Sequence, residues 1–551
     1  MGPWSGSVSR TPPSIPRRVP AAPRAVGSLL ALKVVVFLCG AALMGLEMAG
    51  VRVLNVYFGS THYVWGAIIG VFLGALTLGY HLGGRVADRQ PRYGVLGGII
   101  LAAAALVGLI PWMAPPLCRA LASQAGQDPR VQALAASVLL YLAPCALLGM
   151  VTPCALRLAA GDVVAVGRVA GDLYALATIG SITGTWLVAF FLVEWIGNRA
   201  TILVLGGCLV LAGAIAVGRA GRWKGAGIAL GGAAVLAILA FAGHDPGVPA
   251  GPAFSGWRAI AELDSAFHHI LVAEGPSWYP RHAGVPARYL LFNDQVQGGL
   301  ELDHQVLGPA SAVDYTDSLH LGLLFRASPA RRALVIGCGA GLGPLEFRHD
   351  YPSLERIDVV DIDPAVFRLA RTYFCFPAEG ADPVLRAHLG DGRQFLRRAG
   401  RTYDYVVLDA YTAGGLIPFH LTTREFFAEV KAALAPGGVA VVNLISARTG
   451  PDGRLYRAVA RTLDAVFPRV YAFPKADDAA TVDNILLVAT REPRRWSRPE
   501  LEERRRRMQG RESERAALAR YLPGMVQADG PFQGDPILTD DFAPTDSMAA
   551  R

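Results

Sequence analysis

The chain has 551 residues, of which 52% are hydrophobic, and a formal net charge of +8. This length exceeds one compact domain, so two or more units are expected. The positive charge does not indicate a nucleic-acid-binding protein, because much of the excess is arginine in short loops beside apolar segments. The arginine run 504–507 is interleaved with glutamates, which is typical of a solvated helix. We therefore expect no nucleic-acid partner.

The composition divides the chain into a membrane half and an aqueous half. Residues 1–28 are rich in proline, serine and arginine, which predicts a disordered N-terminus. Residues 29–242 consist mainly of leucine, alanine, valine, glycine and isoleucine, whereas residues 255–551 carry the charged mixture of a globular protein. We expect a multi-pass protein of the cell membrane with the lipid bilayer as a partner.

The apolar half contains stretches that are long enough to span a bilayer, which requires roughly twenty residues. Seven qualify or come close: 30–53, 64–83, 95–114, 134–156, 173–195, 200–218 and 226–242. Gly180 and Gly184, four residues apart in the fifth stretch, predict a closely packed neighbouring helix. Glu47 in the first stretch is costly in lipid unless it faces another helix or a polar cavity. We interpret it as structurally paired, with transport as the alternative.

The distribution of basic residues predicts the orientation in the membrane. Loops on the side of the N-terminus contain Arg10, Arg17, Arg18, Arg24, Arg85, Arg89, Arg92, Arg157, Arg168, Arg219, Arg222 and Lys224. The alternate loops contain Arg119, Arg130 and Arg199. The N-terminus is therefore expected in the cytoplasm. Seven crossings would place the aqueous half outside, but we expect it in the cytoplasm, with the weak seventh stretch not crossing.

The segment RALVIGCGAGLG begins the pattern of a ligand-binding α/β unit. A buried strand runs into glycines and a helix, and RIDVVDID is a second strand that ends in acids. Parallel strands with helical crossovers place a ligand at their carboxyl ends. Gly337, Gly339 and Gly341 give G-x-G-x-G spacing, and Asp361 follows twenty residues later. We expect these glycines to admit an adenosyl group and Asp361 to accept both ribose hydroxyls.

Two further strand ends point to the same edge of the predicted sheet. RAHLGDG delivers Asp391 and Gly392, a position suited to an adenine amino group, and YDYVVLDAY delivers Asp409. Together these positions predict a nucleoside pocket. The alternative is a tight turn with solvated acids at the strand ends.

These residues resemble the spermidine synthases, the polyamine aminopropyltransferases, over about residues 257–490. The segments that carry the resemblance are ELDSAFHHILV, LLFNDQVQGG, YTDSLHLGLL, the glycine loop with VVDID, GDG, and VLDAYTAGGLIPFHLTTREFF. VWGAIIGVFLGALTLGYHLGGRVADR and LTDDFAPTD are similar to the membrane-fused bacterial members of the family. The combination is far more specific than any one motif.

The resemblance implies both an architecture and a site. A small β-domain, residues 255–310, precedes a Rossmann-like methyltransferase-type α/β domain, residues 311–490, and a helical or irregular tail covers 491–551. The co-substrate is decarboxylated S-adenosylmethionine or S-adenosylmethionine, with no metal, and the partner is a small-molecule amine. Gln297 contacts the sulfur nucleoside, Asp361 the ribose and Asp391 the adenine, while Asp409 accepts the proton of the attacking amine. A homo-oligomer is left open.

The chain also departs from the family's motifs. Where the family has Asp in G-G-G-D-G, a second Asp in D-x-x-D-P, Tyr and Gln in S-x-Y-Q, Asp in L-D-G and Glu in Y-x-E, this chain has Ala340, Thr412, Phe267, His268, Asn293 and Asp317. A polycation would be held by carboxylates, and at least two are missing. The acceptor therefore stays unassigned, with His268, Asp317 and Tyr411 as candidate substrate contacts.

Three functions follow from these observations. The leading hypothesis is a membrane-anchored aminopropyltransferase with Asp409 as the base. Since Ala340 removes a group that favours the decarboxylated donor, a methyltransferase is the second. A transporter or sensor with a degenerate nucleoside- or polyamine-binding domain is the third, and Glu47 is its support.

Overall fold

A computed structural model describes residues 26–58, 62–122, 128–159, 166–221, 254–265, 267–279, 282–293, 295–302, 311–412, 415–508, 518–527 and 535–548. It contains a bundle of long apolar helices followed by an antiparallel sheet and a larger mixed sheet. The predicted fold class, a helical bundle with a Rossmann-like α/β domain behind a small β-domain, is confirmed.

The bundle consists of α1 (Val26–Phe58), α2 (His62–Arg89), α3 (Tyr93–Ala122), α4 (Pro129–Gly149), α5 (Val151–Ala159), α6 (Val166–Leu187) and α7 (Val193–Arg219). Within the described residues, six helical segments are long and apolar enough to cross a membrane, with α4 and α5 together forming one of them. The predicted seventh stretch, 226–242, lies outside the described residues, as do residues 1–25. α1 begins at Val26, within the predicted N-terminal segment 1–28, and the disorder expected of that segment stays a prediction.

Glycines bring α6 against α1. The two helices run parallel, with Gly180 beside Phe37 and Gly184 beside Ala41. A Cβ atom added at Gly184 would lie 2.0 Å from the carbonyl oxygen of Ala41, closer than any non-bonded contact allows. The close helix packing predicted from the two glycines is confirmed. Glu47 is half-buried in α1 and interacts electrostatically with Cys145 of α4, so it faces another helix as expected.

Polar contacts identify two opposite ends of the bundle. At one end, Lys33 of α1 pairs with Asp172 of α6 at 3.0 Å. α7 runs antiparallel to α1, so the C-terminal end of α1 meets the beginning of α7, where the Asn198 side chain donates to the carbonyl oxygen of Ala49 at 3.2 Å. A kink at Gly197, whose φ is +78°, precedes this contact. The start of α7 therefore lies at the opposite end from Lys33.

The small sheet contains β1 (Arg258–Asp264), β2 (His269–Pro276), β3 (Pro286–Phe292) and β4 (Gln295–Glu301), paired antiparallel in sequence order. One face of the sheet is closed by stacked aromatic rings. Trp257 and Tyr289 have ring centroids 4.3 Å apart, and Trp278 stacks on Trp257 at 4.9 Å.

The large sheet contains β5 (Arg332–Ile336), β6 (Arg356–Asp361), β7 (Leu385–Leu389), β8 (Tyr403–Leu408), β9 (Leu434–Ser446), β10 (Arg469–Pro474), β11 (Asp483–Thr490) and β12 (Val526–Gln527). Its order is β12-β10-β11-β9-β8-β5-β6-β7, and the five strands from β9 to β7 are parallel. The chain leaves β5 first for β6 on one side and later returns to β8 on the other. This reversal is where open α/β sheets bind ligands.

The C-terminal tail is anchored to the α/β unit by a helix, Arg498–Arg507, that begins with a capping box between Ser497 and Glu500. The sequence predicted a solvated helix, and Arg507 does pair with Glu503 at the surface. Arg504 differs, because its guanidinium donates to the carbonyl oxygen of Leu324 at 2.6 Å. One arginine of the run is therefore structural.

The contact between α1 and α6 generates a prediction about stability. Replacing Gly184 by alanine should lower the thermal stability of the purified protein, because overpacking of this kind costs about 1–3 kcal/mol. The matched control is Gly171→Ala in the same helix, where an added Cβ has no atom within 4 Å. That change should be neutral or stabilising, since alanine favours helix by about 1 kcal/mol over glycine. Equal melting temperatures for the two variants would contradict the packing.

Candidate active site

A cavity of about 270 Å³ opens at the carboxyl ends of the parallel strands. Gly337, Asp361, Asp391 and Asp409, which follow or end β5, β6, β7 and β8, all line it. The small sheet contributes the opposite wall through Phe292 and Gln297. The four strand ends singled out in the sequence therefore meet around one space, because neighbouring parallel strands end at the same edge of the sheet.

Most of the remaining predicted residues also line the cavity. They are Gly339, Gly392, His268 and Tyr411. Gly341 lines a smaller recess next to the cavity. Asp317 is not among the described residues that line either space.

The structure brings Tyr315 to the cavity instead of Asp317. Residues 316–325 form a 3₁₀ helix, in which successive residues turn by about 120°. Asp317 therefore faces a different direction from Tyr315, which precedes the helix. The Tyr315 hydroxyl donates to the carbonyl oxygen of Gln297 at 3.1 Å.

The glycines of the loop are required by the protein's own packing, and our expectation that they also admit the ligand stays a prediction. A Cβ at Gly337 would lie 2.1 Å from the carbonyl oxygen of Asp409. At Gly341 it would lie 2.5 Å from the ring of Phe376. The φ angles of Gly337, Gly339 and Gly341 are +98°, +52° and +80°, in the region that favours glycine.

Asp361 is held rigidly at the end of β6. One carboxylate oxygen accepts the backbone N–H of Cys338 at 2.9 Å, and the other accepts that of Asp363 at 2.9 Å. Burial raises the pKa of Asp361, while these two hydrogen bonds and His268 counteract the rise. Each oxygen keeps a lone pair free of these bonds, so the carboxylate can accept two neighbouring hydroxyls.

Asp391 occupies the rim and has a partner that the sequence did not reveal. One oxygen caps the helix Gly392–Arg398 by accepting the backbone N–H of Gln394 at 2.8 Å. The other lies 2.9 Å from Nε2 of His420, which also lines the cavity. An amino group that approaches Asp391 must therefore share the carboxylate with an imidazole.

Asp409 is half-buried at the end of β8 and is oriented by a chain of amides. The side-chain amide of Asn443 donates to Asp409 Oδ1 at 2.8 Å. Asn484 in turn donates to Asn443 Oδ1 at 3.0 Å, which fixes which end of the Asn443 amide faces the acid. Burial raises the pKa of Asp409 to about 6, although hydrogen bonds with Asn443 and Tyr315 lower it. The carboxylate is therefore available as a base at neutral pH and takes up a proton easily.

Aromatic groups form the wall near Asp409. The Tyr411 hydroxyl donates to the carbonyl oxygen of Asn443 at 2.8 Å, so its ring is fixed beside the acid. Burial, followed by the charge of Asp409, raises the pKa of both Tyr315 and Tyr411. Both tyrosines are neutral at physiological pH. Phe267, 45% exposed, stands at the mouth of the cavity.

His268 and His269 point in different directions, as expected of adjacent residues at a strand. His268 lines the cavity, stacks on Phe292 with ring centroids 4.1 Å apart and lies 3.2 Å from Asp363. His269 pairs with Asp264 at 2.7 Å outside the cavity. Of the two, only His268 can reach a ligand.

Sequence reasoning missed Asn443, Asn484 and His420. The signal for Asn443 was present, because it is the one polar residue within the apolar run VAVVNLI. His420 lies inside the segment VLDAYTAGGLIPFHLTTREFF, which carries the family resemblance but indicates no role for this histidine. Within the described residues, no group of three or more His, Cys, Asp or Glu side chains could hold a metal ion.

Comparison with known proteins adds to this geometry. Residues 315–472 match the spermine/spermidine synthase domain family. The polyamine aminopropyltransferase of Vibrio vulnificus is 40% identical over 156 residues, which cover 28% of this chain and 48% of that protein. Polyamine aminopropyltransferase 2 of Hyperthermus butylicus is 30% identical over 227 residues, covering 38% of this chain and 70% of that protein.

A relative with a different activity in its name also matches. Putrescine N-methyltransferase 2 of Nicotiana attenuata is 38% identical over 128 residues, which cover 23% of this chain and 34% of that enzyme. The chain thus spans about half the length of the Vibrio relative and a third of the Nicotiana relative.

The raised pKa of Asp409 generates a prediction. In infrared difference spectra, the carbonyl band of a protonated carboxyl should disappear as the pH rises through about 6, and Asp409→Asn should abolish the band. Asn443→Leu removes a hydrogen bond that stabilises the carboxylate, so it should move this titration to higher pH. Asp391→Asn is the control, since that carboxylate pairs with His420. A downward move in Asn443→Leu would contradict the assigned contact.

Proposed function

Because the chain belongs to the spermine/spermidine synthase family, we propose that it is an aminopropyltransferase-like enzyme, anchored in the membrane, with an adenosyl sulfonium as donor. The observation that carries this proposal is the position of Asp409, held by Asn443 in the same cavity as Asp361. One carboxylate suits the ribose of the donor, and the other suits the reacting amine. The cavity therefore offers both halves of a group-transfer site.

The proposed reaction needs little chemistry from the protein. A neutral amine nitrogen attacks the carbon bound to the sulfonium, a C–N bond forms, and the C–S bond breaks with its electron pair moving to sulfur. The sulfur leaves as a neutral thioether, and the nitrogen releases one proton. Asp409 orients the amine and accepts that proton, and alignment of the reactants supplies most of the remaining acceleration.

The residues at the cavity suit a nucleoside-bearing donor. Asp361 presents free lone pairs to two hydroxyls, Asp391 lies at the adjacent strand end, and Gln297 stands on the facing wall. We propose decarboxylated S-adenosylmethionine as the donor and a small amine as the acceptor. His268 and Tyr411 are proposed as acceptor contacts, since both line the cavity. Asp317 is a weaker candidate, because it does not line the cavity.

One observation favours methyl transfer as a second candidate. Ala340 stands where the family has the aspartate that binds the aminopropyl ammonium, and its methyl group is directed at Gly298 of β4. The loop therefore supplies no carboxylate at that position. Ordinary S-adenosylmethionine, which carries its own carboxylate beside the ammonium, does not need one. The match to a putrescine N-methyltransferase is consistent with this alternative.

We further propose that the catalytic half lies on the extracytoplasmic side of the membrane. Its contacts with the bundle support this side. Arg52, near the C-terminal end of α1, donates to the carbonyl oxygen of Ser265 at 2.6 Å. The backbone N–H of Asn198, near the start of α7, donates to Asp264 at 2.8 Å. Both helix ends are opposite the Lys33 end, which the arginine-rich loops assign to the cytoplasm.

This orientation requires one more crossing. α7 ends at Arg219, about 30 Å along the helix from Asn198 at 1.5 Å per residue, whereas β1 ends at Asp264, beside Asn198. We therefore keep the seventh stretch predicted from the sequence, 226–242, as a membrane span, although it lies outside the described residues. The proposal therefore takes the seven-span alternative over the cytoplasmic location that we expected.

The activity is tested by assaying the purified full chain with both donors against a panel of amines. Aminopropyl transfer from the decarboxylated donor is the expected result, and Asp409→Asn should lower kcat/KM by about 10²–10⁴-fold. Asp478→Asn, at an exposed surface position, is the matched control and should leave the rate unchanged. Methylation of the amine instead would favour the second candidate. Tight nucleoside binding without turnover, unchanged in Asp409→Asn, would favour a sensor or transporter.

The orientation is tested with a cysteine that the chain already carries. All seven cysteines lie in the described residues, and Cys375 of the catalytic half is the exposed one. A membrane-impermeant maleimide should label the protein in intact spheroplasts, and Cys375→Ser should remove the label. Labelling that requires lysis of the spheroplasts would place the catalytic half in the cytoplasm and contradict the proposal.

A further inference from the structure

The turn between β1 and β2 contacts the membrane helices and also lines the cavity. Asn198 donates to its first residue, Asp264, and Arg52 donates to the next, Ser265. Its last residue, His268, belongs to the cavity wall. The turn is therefore the place where the two halves of the chain meet the candidate active site.

Ser265 connects the two sides of this turn. Its hydroxyl lies 2.5 Å from Asp363 Oδ2 and is oriented to donate to that carboxylate. The hydroxyl oxygen also accepts the backbone N–H groups of Phe267 at 3.0 Å and His268 at 2.8 Å. A displacement of Ser265 would therefore move Asp363 and the cavity wall together.

Asp363 carries the connection to the donor site. Its side chain is completely buried and caps the helix Pro364–Tyr373 by accepting the backbone N–H of Ala365 at 2.9 Å. Its own backbone N–H donates to Asp361 at 2.9 Å. Three hydrogen bonds thus lead from the guanidinium of Arg52, through Ser265 and Asp363, to the carboxylate proposed to bind the ribose.

The charges in this region fit the same arrangement. Arg52 interacts electrostatically with both Asp264 and Asp363. A buried carboxylate is stable only when hydrogen bonds and a nearby positive charge compensate for lost hydration. Without Arg52, Asp363 would keep its hydrogen bonds but lose a compensating charge. The guanidinium therefore has a role beyond joining the two halves.

We propose that Arg52 is a positioning residue of the donor site, so that membrane helix α1 holds the pocket of the catalytic half in its binding geometry. This inference rests on the proposed function, because it concerns the site where the adenosyl donor binds. Since the path ends at Asp361 and not at Asp409, its loss should weaken donor binding and leave the chemical step largely intact. The expected signature is a raised donor KM with little change in kcat.

The experiment uses the full chain in lipid nanodiscs. The Kd of S-adenosylmethionine and of its decarboxylated form is measured for the parent, Arg52→Met, Arg52→Lys and Ser265→Ala. Arg52→Met should raise the Kd about tenfold, a typical size for coupling through such a path. Arg52→Lys keeps the charge and should recover part of the loss. Ser265→Ala breaks the path inside the catalytic half and should also weaken binding.

The matched control is Lys33→Met. Lys33 is a cation of the same helix with its own ion pair to Asp172 at 3.0 Å, at the end remote from Ser265. This variant should bind both nucleosides like the parent. If Arg52→Met folds poorly, Ser265→Ala and Arg52→Lys still test the path, because neither removes a charge from the membrane helices.

The outcomes separate this inference from the proposed function. Parent-like nucleoside binding by folded Arg52→Met, or by Ser265→Ala, would overturn the positioning role alone. The Kd of the double variant Arg52→Met/Ser265→Ala should be little higher than that of the single variant with the higher Kd, since both substitutions break one path. A double variant whose Kd rises by the product of the two single effects would also overturn the positioning role. If the parent chain binds neither nucleoside, the proposed function fails and this inference fails with it.

Discussion

The approach of the Gly337 backbone to the carbonyl group of Asp409 is the constraint on which the candidate active site depends. It joins the end of β5 to the end of β8, the two strands between which the chain reverses its direction across the sheet. Only glycine permits this approach, and the backbone N–H of Asp409 holds the two strand ends together by donating to the carbonyl oxygen of Ile336 at 2.9 Å. Asp361 and Asp391 then follow from the parallel register of β6 and β7. The close approach of β5 to β8 thus brings the three strand-end carboxylates to one cavity.

Much of this site could be predicted because it depends on local features of parallel strands. The apolar runs before Asp361 and Asp409 identified two buried strands, and strand ends in a parallel sheet lie at one edge. The packing role of Gly337 and Gly341 could not be predicted, since it depends on the distant partners Asp409 and Phe376. Asn443 and Asn484 were missed for a similar reason. Their alignment with Asp409 depends on the antiparallel pairing of β11 with β9, and that register is not visible in a local pattern.

Asp317 illustrates the limit of carrying a motif across a family. The resemblance pointed to an acid in that segment, but Tyr315, just before the 3₁₀ helix, lines the cavity and Asp317 within the helix does not. The membrane half shows the opposite case, because Gly180 and Gly184 predicted a helix contact from spacing alone. Small residues four apart leave few alternatives in lipid, whereas a polar residue near a turn can face several directions. The predictions succeeded where geometry permits one arrangement.

The turn that joins β1 to β2 is subject to two demands at once. It must match the helix ends at Arg52 and Asn198 on one side and the buried Asp363 on the other. Exchanging the catalytic half for the matching part of a relative would therefore break the fit unless the helix ends were exchanged with it. Under the role proposed for Arg52, a change in the tilt of α1 would displace Ser265 and Asp363, so the surroundings of that helix would act on a cavity that lies apart from them.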